Sequence, residues 1–184
     1  SKALSDNDLD ELVLDAWQGY LLQRAKTHGA EGVQSVWSSM PKNIRQRDEI
    51  EHLYYSLLIQ TNASLEAVKG LSQRLKKDHA VPFLELYGSL NTADLSSQLK
   101  FVEKLGDKFN HSYEWLLTAG KLSLRLQIWG QAKNYLEQAL HLKPTPEVRQ
   151  LLALALDALG KTDEAYQQLK ATWPEQYLSR DSHL

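Results

Sequence analysis

YEWLLTAGKLSLRLQIWGQAKNYLEQALHLKP, residues 113–144, is the stretch that decides how this chain folds. Small residues fall in it where two antiparallel helices have to touch: Ala119 and Gly120 on the first, Ala132 and Ala139 on the second. Gly or Ala at a crossing lets two helix axes approach to about 8–9 Å, while large side chains such as Leu116 and Leu136 fill the space on either side. Pro144 then ends the second helix, because it lacks an amide proton and disfavours helical backbone in the residue before it.

Counted from Tyr113 as position one, Leu116 is fourth, Ala119 seventh, Gly120 eighth, Ala132 twentieth, Leu136 twenty-fourth, Ala139 twenty-seventh and Pro144 thirty-second. This pattern resembles the slots of the tetratricopeptide (TPR) helix-turn-helix repeat. Ala67 in the twentieth slot starts a repeat at Asp48, and Gly88 in the eighth starts one at Val81. Ala153, Gly160 and Ala165 in the eighth, fifteenth and twentieth slots start one at Pro146. The starts at 48, 81, 113 and 146 are separated by 33, 32 and 33 residues. The resemblance implies an all-α fold, a right-handed TPR-like α-α superhelix built as a solenoid of antiparallel helix pairs. It divides the chain into an N-terminal helical pair over 1–44, repeats over about 48–80, 81–112, 113–145 and 146–177 within a region 45–177, and a tail over 178–184.

The rest of the chain reads as helix on its own evidence. Ser5-Asp6-Asn7-Asp8 resembles a capping box, and Leu9, Leu12, Val13, Ala16, Trp17, Tyr20 and Leu21 recur at spacings of three and four. That helix is expected to end at His28-Gly29, and a shorter one to run over 30–39 up to Pro41. Further helices are expected over 47–60, 64–77, 81–90 and 93–109, with Ser64 as an N-cap. The polar end, WPEQYLSRDSHL, reads as a fraying terminus.

Composition narrows the chemistry. The 184 residues carry a net charge of −2 and no cysteine. Neither nucleic acid nor an anionic membrane is attracted by such a balance, and thiolate catalysis and cysteine-based metal sites are excluded. No apolar run approaches the roughly 20 residues that span a bilayer. Glycine-rich phosphate loops, nucleophile elbows and metalloprotease signatures are absent, so no enzymatic activity is expected. The six histidines are scattered, with no two spaced three or four apart on one helix, so no metal site is expected; His28, His79, His111 and His141 sit near expected helix ends. Trp129, in the seventeenth slot, reads as a core ring rather than part of a ligand cage. Lys69, Arg74, Lys76 and Lys77 read as a solvated outer helix face.

A narrower resemblance covers about Trp37 to Leu169. Gly120, Leu122, Trp129, Gly130, Ala132, Tyr135, Leu136 and Glu137 follow the spacing G-x-L-x-x-x-x-x-x-W-G-x-A-x-x-Y-L-E that is typical of the bacterial HemY family, and VWSSMPKNIR (36–45) and LELYGSL (84–90) also look like family segments. The resemblance implies a non-catalytic scaffold that binds protein partners, including enzymes of late haem (protoporphyrin and protohaem) biosynthesis. It also implies attachment to the bacterial inner membrane through an N-terminal region outside this sequence, with the present domain on the cytoplasmic side. Direct binding or carriage of haem or porphyrin is the alternative, and His52, in the fifth slot of its repeat, is the candidate haem ligand. An ordinary polar groove residue is the competing reading of His52. The repeat register projects a partner groove containing His52, Ser56, Glu85, Ser89, Leu117, Lys121, Leu124, Arg125, Gln150 and Leu154. Lys121 and Arg125, four apart, could grip a carboxylate together, or simply be exposed.

Overall fold

The computed structural model describes residues 6–174, and within them every regular element is a helix. The elements are α1 (Asp6–Ser39), α2 (Lys42–Arg45), α3 (Asp48–Gln60), α4 (Ser64–Lys77), α5 (Val81–Ser89), α6 (Leu95–Lys104), α7 (Tyr113–Arg125), α8 (Trp129–Leu142), α9 (Pro146–Ala158) and α10 (Thr162–Lys170). The chain forms two compact units divided between Leu90 and Asn91. That division falls inside the stretch expected to form one repeat over 81–112. Ser5 of the expected capping box and the tail over 178–184 lie outside the described residues.

In the first unit, α1 is broken at Gly29, whose φ of 55° and ψ of −142° interrupt the helix where the sequence placed its end. α3 packs on α1 and pairs with α4, and α5 packs against both α3 and α4. Their shared interior holds Leu21, Val33, Val36, Ile50, Leu58, Ala67, Leu71, Leu75, Phe83 and Leu84, all at most 2% exposed. Tyr55 stands so close against Gly70 that a Cβ there would collide with its ring and hydroxyl oxygen.

In the second unit, α7 pairs with α8 and α9 with α10, α8 packs on α9, and α6 packs on α7. The four small residues that set the register are buried: Gly120, together with Ala132 at 0%, Ala153 at 3% and Ala165 at 5% exposure. A Cβ on Gly120 would sit 2.8 Å from both Cγ and Cδ2 of Leu136, so α7 and α8 are in contact there through the missing side chain. Trp115 is buried, and its indole N–H donates to the Val102 carbonyl at 2.7 Å, tying α7 to α6.

Three hairpin turns share one backbone solution. Asn62, Gln127 and Gly160 have φ of 61°, 59° and 76°, and each is the fifteenth residue of its repeat counted from Asp48, Tyr113 and Pro146. The next amide closes a bond five residues back in each case: Ala63 to Leu58, Ile128 to Ser123 and Lys161 to Leu156, at 2.8–2.9 Å. This is the Schellman type of helix end, a left-handed residue followed by an amide that satisfies an orphan carbonyl. The repeat starting at Val81 has no such turn, since its fifteenth residue, Leu95, opens α6.

α6 is shorter than the expected 93–109. The amides of Leu105 and Gly106 turn back to Val102 and Glu103 at 3.0 Å, and Asn110 and His111 take φ of 50° and 47°. The apolar residues that prolonged the helical pattern, Leu105 and Phe109, are buried by the turn itself at 6% and 0% exposure. Hydrophobic spacing therefore continued past the end of the helix. The Ser112 hydroxyl then accepts from the Trp115 amide at 3.3 Å and starts α7.

Candidate docking surfaces

The leading helices of the second unit carry most of the projected groove. α7 and α9 run next to each other, and the Lys121 ammonium bonds the Glu147 carboxylate across them at 2.5 Å. Lys121 thus faces an acid of its own chain rather than acting with Arg125 on a shared carboxylate. Arg125 is exposed and its guanidinium donates to the Asn91 side-chain oxygen at 3.4 Å. Gln150 is exposed and Leu124 half-buried. Leu154 is 61% exposed in the middle of α9, whereas Leu117 is only 7% exposed and belongs to the core. The slot count placed Leu117 on the open face, but it is the third of an unbroken run of six buried residues, Trp115 to Gly120, where α7 is enclosed on more than one side.

On the first unit, Glu85 and Ser89 of α5 are exposed, and the Ser89 hydroxyl donates to the Leu86 carbonyl at 2.8 Å. Ser56 is half-buried on α3. His52, also half-buried, meets Phe83 edge-on with ring centroids 5.8 Å apart. It lines a cavity of about 690 Å³ together with Asp48, Glu49, His79 and the α5 start from Ala80 to Phe83. Sequence spacing had not joined the two histidines, which are 27 positions apart. Among the described residues, no group of three His, Cys, Asp or Glu side chains is arranged to hold a metal ion.

The basic run on α4 needs correction. Arg74 does not belong to a solvated face; its side chain is 12% exposed and it is the centre of an ionic cluster. Its guanidinium donates to Glu51 at 2.8 Å, to Asp48 at 2.7 Å and to Asp78, and its carbon lies 4.6 Å from the Phe83 ring centroid. Burial works against the charged form of Arg74, but the bonds from Glu51, Asp78 and Asp48 outweigh it and raise its pKa. Burial is also the larger influence on Glu51 and lifts its carboxyl above the usual range, although Arg74 pulls the other way. Lys69, Lys76 and Lys77 are exposed, as read from the sequence. The reason for the difference is reach: the Arg74 side chain extends back across the hairpin to the acidic first turn of α3, a contact invisible to a reading of one helix at a time.

Trp37 stacks on Tyr54 at 4.0 Å, and Trp129 is half-buried at the start of α8. Tyr135 donates to the Glu103 carboxylate at 2.9 Å; burial first, and that acceptor second, push its hydroxyl up to about 12. Among the described residues no helix is long and apolar enough to cross a membrane.

Paired helices with small residues at each crossing and a recurring left-handed turn define a TPR-like α-solenoid. Solved structures agree. The crystal structure of TTC0263, a thermophilic TPR protein in Thermus thermophilus, superimposes with a TM-score of 0.60 at 18% identity, covering 91% of this chain and 93% of that one. A crystal structure of MamA protein gives 0.63 at 13% identity, covering 93% and 96%. A further structure, MamA MSR-1 C2, gives 0.55 at 13% identity, covering 91% and 95%. No family model matches the sequence and no curated protein matches it.

Proposed function

We propose that this chain is a non-catalytic scaffold that docks protein partners on its leading helices. The observation that carries this reading is the α7–α9 face, where Leu154 is 61% exposed in mid-helix among polar and charged groove positions. A leucine in that place forms no part of the core, and in a helical-repeat fold it is positioned as an apolar anchor for another molecule. The resemblance to the HemY family, carried by Trp129 to Glu137, supports a finer assignment: partners among the enzymes of late haem biosynthesis, at the bacterial inner membrane and on its cytoplasmic side. Crosslinking and mass spectrometry on bacterial membranes containing the full-length protein tests both levels. Leu154→Asp, and separately Lys121→Glu with Arg125→Glu, are expected to cut partner crosslinks about tenfold, the loss that follows from about 1.4 kcal/mol of contact. Unchanged crosslinks in both variants would remove the docking assignment, and partners unrelated to haem synthesis would remove the finer one.

A second reading is favoured by a separate observation. His52 and His79 share a cavity with Val81, Pro82 and Phe83, so an imidazole stands beside apolar walls as axial ligation of a tetrapyrrole requires. Hemin titration of the purified chain is expected to shift the Soret band, with the shift lost in His52→Ala. Absence of any shift discards the haem reading and leaves the scaffold reading intact.

A further inference from the structure

A different surface of the first unit has the chemistry of an anion site. α3 and α4, Trp37 near the end of α1, and α2 with the residue after it enclose a cavity of about 440 Å³ whose wall includes Trp37, Lys42, Arg45, Tyr55, Arg74 and Lys77. Its one carboxylate is Glu51, and that group is taken up by Arg74 at 2.8 Å. Arg74 is in turn neutralised by Glu51, Asp48 and Asp78. Lys42, Arg45 and Lys77 have no carboxylate within ion-pair distance among the described residues, although Lys77 feels the charge of Glu51 at longer range. Three positive charges are therefore left over on one concave surface.

Arg45 brings directional chemistry to that surface, since it lines the cavity beside Lys42 and Lys77. An oxyanion placed in the cavity cancels the surplus charge, and guanidinium groups bind phosphate and carboxylate through paired, directional hydrogen bonds. The volume fits a small molecule and not a folded segment.

We propose that this cavity binds a small polyanion through Arg45, Lys42 and Lys77, with phosphate or carboxylate groups as the recognised chemistry. Arg74 acts as the positioning residue, because its bonds to Asp48 and Glu51 tie α4 to α3 at the spacing that forms the wall. The site shares no residue with the α7–α9 face or with the His52 cavity, so its ligand neither depends on the scaffold reading nor tests it.

Isothermal titration calorimetry of the whole chain in low-salt buffer decides the matter, with pyrophosphate and citrate as the two probes. Saturable binding of at least one is expected, weakened about tenfold by Arg45→Gln, the equivalent of one charge-assisted contact. Lys69→Gln, on α4 but outside the cavity, is expected to change affinity by less than about twofold. Tighter binding of pyrophosphate identifies a phosphate ligand, and tighter binding of citrate a carboxylate one. Circular dichroism checks that Arg45→Gln is folded; should it unfold, Lys77→Gln carries the comparison with the same expected weakening. No saturable heat with either probe overturns the proposal, as does equal weakening by Lys69→Gln and the cavity variant.

Discussion

Arg74→Met lowers the stability of the first unit by about 3 kcal/mol at pH 8, measured by urea denaturation, because it strands the Glu51 carboxylate in a half-buried setting without its counterion. The two exposed acids, Asp48 and Asp78 at 70% and 45%, lose little by comparison, since water replaces the guanidinium for them. The loss depends on pH in a definite direction. The folded state already holds the Glu51 pKa above its usual value, and removing Arg74 raises it further. A carboxyl with a raised folded-state pKa is stabilising below its unfolded value and destabilising as pH rises through the folded one. The variant therefore regains stability relative to wild type as the pH is lowered toward 4.5, the ordinary glutamate value, and the double variant with Glu51→Gln is nearly flat over the same range. A deficit independent of pH, or one not reduced by Glu51→Gln, would show that Arg74 acts only by packing on Phe83.

Gly120→Val produces a comparable loss in the second unit, about 3 kcal/mol by the same measurement. Two effects oppose each other. Replacing a helical glycine gains about 0.5 kcal/mol of backbone propensity even with a β-branched residue. Against that, the new Cβ alone meets Cγ and Cδ2 of Leu136 at 2.8 Å, and Cγ is the branch point of a side chain with 0% exposure that has nowhere to move. Overpacking wins, and α7 and α8 have to separate. Leu136→Ala in the same chain opens the space and is expected to recover part of the loss, so the two changes are less than additive. A Gly120→Val chain as stable as wild type would mean that the two helices do not touch there.

The repeat register was legible because it rests on size. Gly120, Ala132, Ala153 and Ala165 have to be small wherever helices cross, and such a requirement is written in the sequence as a spacing. Turn positions were legible at Gly160 and at Asn62, which lies in the gap left between the helices expected over 47–60 and 64–77 and is of a type that tolerates left-handed backbone. Gln127 adopts the same backbone, but glutamine carries no such signature, and only its slot number relates it to the other two. The exposure of the projected groove positions was partly legible. Leu154 stands open as its slot implies, while Leu117, assigned by the same counting, is covered because α7 is flanked more fully than a single repeat suggests. Contacts that cross from one helix to the next at long side-chain reach were not legible at all. Arg74 to Glu51, Tyr55 against Gly70 and the Trp115 indole on the Val102 carbonyl each pair residues 13 to 23 positions apart with no pattern to announce them.

The five-back amide bond after Asn62, Gln127 and Gly160 bears on how the molecule assembles. Each of these corners is closed entirely by atoms within six consecutive residues, so closing it costs little chain entropy and needs no distant surface. Three separate hairpins can consequently begin to form without waiting for one another, and structure then spreads by adding a neighbour to whichever nucleus came first. A chain of this kind has no single obligatory starting point, and damage to one corner slows only the growth that has to pass through it.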